Sequence, residues 1–141
     1  MTVKIYSSLP PEARLIREQV FVKEQGFCEE FDDIDGSAAH LVLFDEEMPV
    51  ATCRFFLNEE KGAYILGRIA VQKEYRGQNL GAYVLRAAEE EIRKQGGRCI
   101  SLHAQEGASG FYEKQGYDAY GEIDYEEDCP HIWMSKSLIR T

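Results

Sequence analysis

The stretch best suited to chemistry is Ile69-Ala70-Val71-Gln72-Lys73-Glu74-Tyr75-Arg76-Gly77-Gln78-Asn79-Leu80-Gly81-Ala82. An apolar run leads into a turn of small residues that opens a helix. Such a turn aims several backbone N–H groups, and the positive end of the helix dipole, at one point. Gly77 and Gly81 lack the Cβ atoms that would obstruct a phosphate approaching the backbone. Arg76 adds a fixed positive charge. The pattern predicts a phosphate or pyrophosphate cradle; the competing reading is that both glycines serve only the turn and helix packing. Neither GxxxxGK[ST] nor GxGxxG occurs in the chain, so nucleotide hydrolysis and dinucleotide binding have no support.

The elements that must position this turn follow from periodicity. Residues 2–6 read as a short strand. Leu9, Ala13, Ile16 and Val20 recur at helical spacing behind Pro10-Pro11-Glu12, which predicts a helix to about Lys23, ended by Gly26. Residues 24–35 are strongly acidic and read as a long loop or a short second helix. Residues 40–44, 50–57 and 63–71 form an antiparallel meander. Leu80, Val84, Ala88 and Ile92 mark a helix closed by Gly96-Gly97, and residues 98–102 return as a strand. Strand, helix and strand of these lengths make a right-handed crossover to a parallel neighbour. A short helix over 108–115 and strands over 117–123 and 131–138 complete one mixed αβ domain spanning 1–141.

Composition narrows the field. The 141 residues are 44% hydrophobic, enough to build a core without staples, and this argues against disorder. Lys and Arg number 16 against 25 Asp and Glu, so the net charge of −9 argues against a nucleic-acid partner. No apolar run reaches the roughly 18 residues of a membrane span. The first residues, Met1-Thr2-Val3-Lys4-Ile5-Tyr6, lack the apolar stretch of a secretory signal, so a cytoplasmic location is expected. Cys28, Cys53, Cys99 and Cys129 form no CxxC pair and none stands at metal-ligand spacing to a His, so reduced thiols and no metal are expected. Cys53 and Cys99 read as core residues. Cys28 and Cys129 sit in acidic loops and are not read as activated nucleophiles.

Two motifs carry a family resemblance. Arg76-Gly77-Gln78-Asn79-Leu80-Gly81-Ala82 resembles the acetyl-CoA loop of the GNAT N-acetyltransferases, Arg/Gln-x-x-Gly-x-Gly/Ala. Asn79 stands where that family has its middle Gly, and Asn tolerates a left-handed backbone better than most residues. Ala108-Ser109-Gly110-Phe111-Tyr112-Glu113-Lys114-Gln115-Gly116-Tyr117 resembles the family's closing helix. Val20 to Gln25 after Arg17, His40, Ala104-Gln105 and Pro130-His131-Ile132-Trp133-Met134 are similar to the small bacterial ElaA/YjcF-like branch. The resemblance implies an α+β fold of three layers: a mostly antiparallel sheet with a central parallel pair, and helices on both faces. It implies acetyl-CoA as co-substrate and an amine acceptor, either a small molecule or a protein amine. A homodimer through a sheet edge is compatible with it. A non-catalytic acetyl-CoA-binding module and a protein-interaction domain are the alternative readings.

The resemblance also distributes roles. The backbones of Ile69, Ala70 and Val71 face pantetheine, and Arg76, Gly77, Gln78, Asn79, Leu80, Gly81 and Ala82 face the pyrophosphate. Tyr112 takes the general-acid position. Amine attack requires a base, and a free imidazole, titrating near pH 6.5, suits it, which singles out His131. Glu24, Glu30 and Glu122 are alternatives, acting through a water. Phe21, Gln25, Glu30, Arg54 and Arg68 are assigned to the acceptor side, with Arg17 beside them. The arginines hold either an acceptor carboxylate or the fold's own acids. Trp133 and Phe21 either wall the acceptor pocket or belong to the core. The acid runs over 29–35 and 122–128 are either solvated faces or favour a cationic acceptor.

Overall fold

The apolar runs of the meander are buried along their centres on both sides, the mark of strands covered on two faces. The computed structural model describes residues 1–28 and 30–139. Seven strands form one sheet: β1 (Thr2–Tyr6), β2 (Ala39–Asp45), β3 (Met48–Asn58), β4 (Ala63–Val71), β5 (Cys99–Gln105), β6 (Asp118–Glu126) and β7 (Cys129–Ser137). Their order is β1-β2-β3-β4-β5-β7-β6, and only the β4–β5 pair is parallel. That pair is joined by the crossover helix α2 (Leu80–Lys94). On one face α2 buries Leu80, Val84, Leu85, Ala88 and Ile92 against Phe55, Leu66, Ile100, Leu102 and Met134. On the other face α1 (Pro11–Arg17) and the turn of chain after it bury Ala13, Ile16, Val20 and Phe21 against Val42, Phe44 and Ala70. The three layers and the parallel pair are those expected. The short helix α3 (Ser109–Lys114) follows β5. No helix among the described residues is long and apolar enough to cross a membrane. The outer strand β6 is exposed along its whole length and slips register against β7 between Tyr120 and Asp124, where Gly121 takes φ +78°.

The first helix departs from the expectation. It is α-helical only to Arg17, and Glu18–Glu24 wind as a π-helix. The Gln25 amide reaches back five residues to the Val20 carbonyl (3.1 Å), and Gly26, at φ +79°, ends the segment. The buried set 13, 16, 17, 20 and 21 has ordinary α spacing, so the apolar pattern carries no trace of the wider winding. Two contacts from across the sheet hold its end: Arg76 grips Glu24, and Gln105 Nε2 donates to Gln25 Oε1 at 2.8 Å. The acidic segment beyond contains one short 3₁₀ turn, Asp33–Gly36, whose Asp32 and Asp35 cap each other reciprocally. Glu29, part of the acid run, lies outside the described residues.

That acidic segment is solvated only in part: Asp32 and Asp33 are exposed, while Glu30 and Asp35 are buried. Arg17, only 1% exposed, donates from Nε to Glu30 Oε2 (2.7 Å) and from its two terminal nitrogens to Asp35 (2.7 and 3.1 Å). Arg54 grips Asp32 (2.6 and 3.0 Å) and also reaches Asp35 (2.9 Å). Arg68 lies 3.2 Å from Glu30 and 3.5 Å from Asp32. His40 Nε2 donates to the Asp35 carbonyl at 3.0 Å, and its Nδ1 is buried without a hydrogen-bond partner among the described residues. Three guanidinium groups thus offset three carboxylates, which is what permits their burial.

The carboxyls respond differently. Burial alone would raise Asp35, but hydrogen bonds from Arg17 and the Asp32 amide, with the Arg17 charge, hold it well below the usual carboxylate range. Asp32 is lowered too, Arg54 overcoming its burial. Burial pushes Glu30 up despite Arg68 and Arg17. Burial lowers His40 and keeps it neutral. Replacing Arg17 by Met leaves Glu30 and Asp35 buried with one cation fewer, and should cost about 3–5 kcal/mol in urea unfolding; a loss under about 1 kcal/mol would show that the network is dispensable. The pH dependence has a definite sign. Depressed Asp32 and Asp35 stabilise the fold above their unfolded values near 3.9, and that contribution is lost as pH falls through their folded values. His40 resists protonation below about 6.5 and acts in the same direction, while Glu30 opposes both. The melting temperature should therefore fall on going from pH 7 toward pH 3, most steeply below about pH 4.

Candidate active site

Parallel strands need a crossover, and here the parallel pairing is brief. β4 meets β5 only at Tyr64↔Ile100 and Ile65↔Ser101. Beyond Ile65 the strands diverge, so the β5-facing amides and carbonyls from Leu66 to Val71 have no ladder partner on that side among the described residues. On its other side β4 pairs with β3 but bulges: Gly67 opposes Arg54, Ala70 opposes Thr52, and Arg68 and Ile69 lie between. Arg68 takes φ +53°, a strained backbone for a residue with a side chain, held by its ties to Glu30 and Asp32.

A cavity of about 560 Å³ opens at this divergence. Phe21, Gln25, Glu30, Arg54, Arg68 and Ile69 line it from the α1 side and β4, and Tyr112, His131 and Trp133 from the other side. These are residues singled out in the sequence, from six separate elements or loops. The arginines hold the fold's own acids, as the network above shows. Trp133 is half-buried at the cavity wall and is no part of the main core. Glu122 is exposed on β6, and Glu24 is exposed and does not line the cavity.

Tyr112 reaches the cavity from α3, packed edge-on against Phe111 (5.0 Å between centroids) and Tyr117 (6.1 Å). Burial, and after it the nearby Cys53, push its phenol above the ordinary value, so it keeps its proton. His131, 4% exposed, lines the same cavity from β7. Its Nδ1 donates to the Cys129 carbonyl at 2.9 Å, which fixes that tautomer, and its Nε2 lies 3.3 Å from Glu126 Oε2. The other oxygen of Glu126 lies 3.3 Å from His103 Nδ1, and His103 Nε2 lies 2.6 Å from Asp124, which is more than half exposed. Four ionisable groups therefore link the cavity wall to solvent. Sequence reasoning missed His103 and Phe27, and named Asp124 and Glu126 only as part of the acid run over 122–128; all of these but Asp124 line the cavity. The signal for His103 was present: Ile100, Leu102 and Ala104 are the core set of β5, so strand alternation sends Ser101, His103 and Gln105 to the opposite face.

The turn before α2 fits the cradle. Gly77 takes φ +82° with open space where a Cβ would stand, and Asn79 takes φ +60°, ψ +25°, the left-handed conformation expected of it. The Tyr83 amide makes the first helical bond, to the Asn79 carbonyl (3.1 Å), so the amides of Leu80, Gly81 and Ala82 stand at the open end of the helix. A Cβ on Gly81 would stand 3.4 Å from the Phe111 ring, so this glycine also sets the approach of α3 to α2. Arg76 is already engaged: Nε donates to the Val71 carbonyl (3.1 Å), and the fork grips Glu24 at 2.6 and 2.8 Å. That bond, with the Arg76 charge, lowers the Glu24 carboxyl and raises Arg76.

A sheet splayed at its one parallel pair thus has open helix-end amides at the mouth of the splay and a phenol and an imidazole lining the cavity there. The comparisons specify the class. A family model described as an acetyltransferase (GNAT) domain matches residues 12–138. The chain belongs to the GNAT acetyltransferase family and is an N-acetyltransferase. It is 34% identical over 128 residues to the uncharacterized N-acetyltransferase YjcF of Bacillus subtilis, covering 89% of this chain and 90% of that one. The crystal structure of Escherichia coli ElaA superposes with a TM-score of 0.84 at 26% identity, covering 96% and 99% of the two chains. An acyl-CoA N-acyltransferase from Pseudomonas aeruginosa superposes at 0.81 and 27%, covering 96% and 97%.

The Glu24–Arg76 pair places a carboxylate on the very cation that the cradle would offer to a phosphate. Glu24→Gln should free that cation and lower the KM for acetyl-CoA by up to about fivefold, the equivalent of about 1 kcal/mol for an exposed pair. Steady-state kinetics at low ionic strength measure it. A rise in that KM would mean that Glu24 positions Arg76 and does not compete for it.

Proposed function

We propose that this enzyme moves an acetyl group from acetyl-CoA directly to a primary amine, with both substrates held together in the cavity between β4 and β5. The observation that carries this reading is the presence of Tyr112 and His131 in the lining of one cavity, at the point where the parallel strands part. Acetyl-CoA, when bound, supplies an activated thioester. The open amides at the start of α2, with Gly77 and Asn79 in left-handed turns, would hold its pyrophosphate. The unpaired edge of β4 at Ile69, Ala70 and Val71 offers main-chain donors and acceptors to an extended arm, as a missing strand would.

The residues then divide the proton work. His131 is the favoured base, because its Nδ1 proton is committed to Cys129 and Nε2 is the nitrogen left to accept. A proton arriving there meets Glu126 at 3.3 Å, and His103 and Asp124 continue the path to solvent. The other carboxylates named for this role are engaged elsewhere, Glu24 with Arg76 and Glu30 with Arg17 and Arg68. Tyr112 holds the proton that its phenol can deliver to the departing thiolate. Burial raises the phenol, so Tyr112 remains protonated at neutral pH.

Release of free thiol from acetyl-CoA against a panel of primary amines tests the activity. Tyr112→Phe retains the ring and its packing, and should lower kcat by roughly 10²-fold with little change in acetyl-CoA KM or melting temperature. His131→Gln should lower kcat by a similar factor. Wild-type kcat in Tyr112→Phe, measured where chemistry limits turnover, would reduce Tyr112 to a packing residue.

A further inference from the structure

The cavity ends in a group of rings, of which Trp133 and Tyr120 have no part in the acetyl transfer proposed above. Trp133 of β7 stands between its cross-strand neighbours, His103 on β5 (centroids 4.8 Å apart, 22° between planes) and Tyr120 on β6 (6.4 Å, 29°). The Tyr120 hydroxyl donates to Ser101 Oγ at 3.3 Å. On the far side from Trp133, His103 stacks in turn on His131 (4.8 Å, 33°). The exposed Lys61, from the turn between β3 and β4, holds its Nζ 3.4 Å from the centroid of the Trp133 ring. The face of this indole thus receives an ammonium ion.

We propose that the Trp133 shelf is an ammonium subsite, and that the acceptor is a diamine or polyamine. Its reacting amine meets His131 while its second cation takes the place of Lys61 on the indole. The proposal rests on the acetyl-transfer reading above and names the substrate class of that site. Three physical points support it. Indole is the strongest aromatic partner for a cation, and a compact ammonium is the form already seated there. Asp124 and Glu126 stand beside the ring stack with their negative charge toward it, and the chain as a whole carries −9, so the site draws cations and opposes acids. The two groups sit close together. His131 and Trp133 are two residues apart on one strand and point to the same face, with backbone positions about 6.6–7 Å apart, and each ring lies 4.8 Å from His103. With carbon–carbon bonds near 1.5 Å, an extended spacer of about four to five methylenes is of comparable length. Lys61 sits on an exposed hairpin turn, so its side chain can swing away without disturbing the sheet.

The test compares pentylamine with 1,5-diaminopentane as acceptors, two molecules of matched length that differ in the second ammonium. Thiol release should give the diamine a kcat/KM at least about tenfold higher, a difference of about 1.4 kcal/mol. Trp133→Leu should reduce that preference to about twofold or less. Lys61→Ala removes the resident cation without touching the ring, and should lower the diamine KM about threefold and widen the preference. Equal kcat/KM for the two acceptors in the wild type, or a preference that survives Trp133→Leu, would overturn the subsite. Absence of release with every amine would overturn the acetyl-transfer reading instead. In that event calorimetric titration of 1,5-diaminopentane into the protein saturated with CoA decides the subsite alone: binding lost in Trp133→Leu supports it, and no binding overturns it.

Discussion

Everything on the acceptor side of this molecule depends on burying charge in balanced amounts. Arg17, Arg54 and Arg68 come from α1, β3 and β4, and each binds acids of one irregular segment. Without that segment the arginines would be stranded under the first helix. Without the arginines, Glu30, Asp32 and Asp35 would have to leave for water. The knot converts an otherwise solvated acidic loop into a wall of the cavity. It also keeps Arg68 in its left-handed conformation, and so maintains the bulge that bends β4 within its pairing to β3.

The bend has its complement on the other side of β4. Two residues of parallel pairing suffice to join the halves of the sheet, and the crossover helix keeps them joined, while the remaining length of β4 offers a free main-chain edge inside a protein that is otherwise well paired. A free edge within the body of a domain is unfavourable unless something pairs with it. The same divergence opens the cavity that Tyr112 of α3 and His131 of β7 line. Free edge and cavity are therefore consequences of one geometric fault in the sheet.

Much of this was legible in the residues. The strands were found from apolar runs, the crossover from a change of period, and the strand-to-helix turn from its small residues. Asn79 in place of glycine was readable as a left-handed residue and occupies that conformation. Other features leave no local mark. A π-helix and an α-helix bury the same set of positions over two turns, so the change of winding after Arg17 was invisible. The positive φ of Arg68 is imposed by tertiary ion pairs, against the preference of its own type. The destination of each acid depends on which arginine comes close through the fold, and a charge run alone does not reveal it. His103 is the instructive omission, because the alternation of β5 did mark it as facing away from the core, yet only the structure brings Glu126 and Asp124 to its two nitrogens.

The outer strand β6 carries a consequence for the behaviour of the protein in concentrated solution. A sheet that ends in a long, flat, apolar strand invites a second chain to extend it. β6 exposes Tyr120, Ile123 and Tyr125, which alone would make it adhesive. Its slipped register at Gly121 breaks the flat row of donors and acceptors, and Asp118, Glu122, Asp124 and Glu126 place like charges along it. Two such edges brought together would mismatch in hydrogen bonding and repel in charge. The irregularity at Gly121 thus acts as a guard against fibrillar stacking.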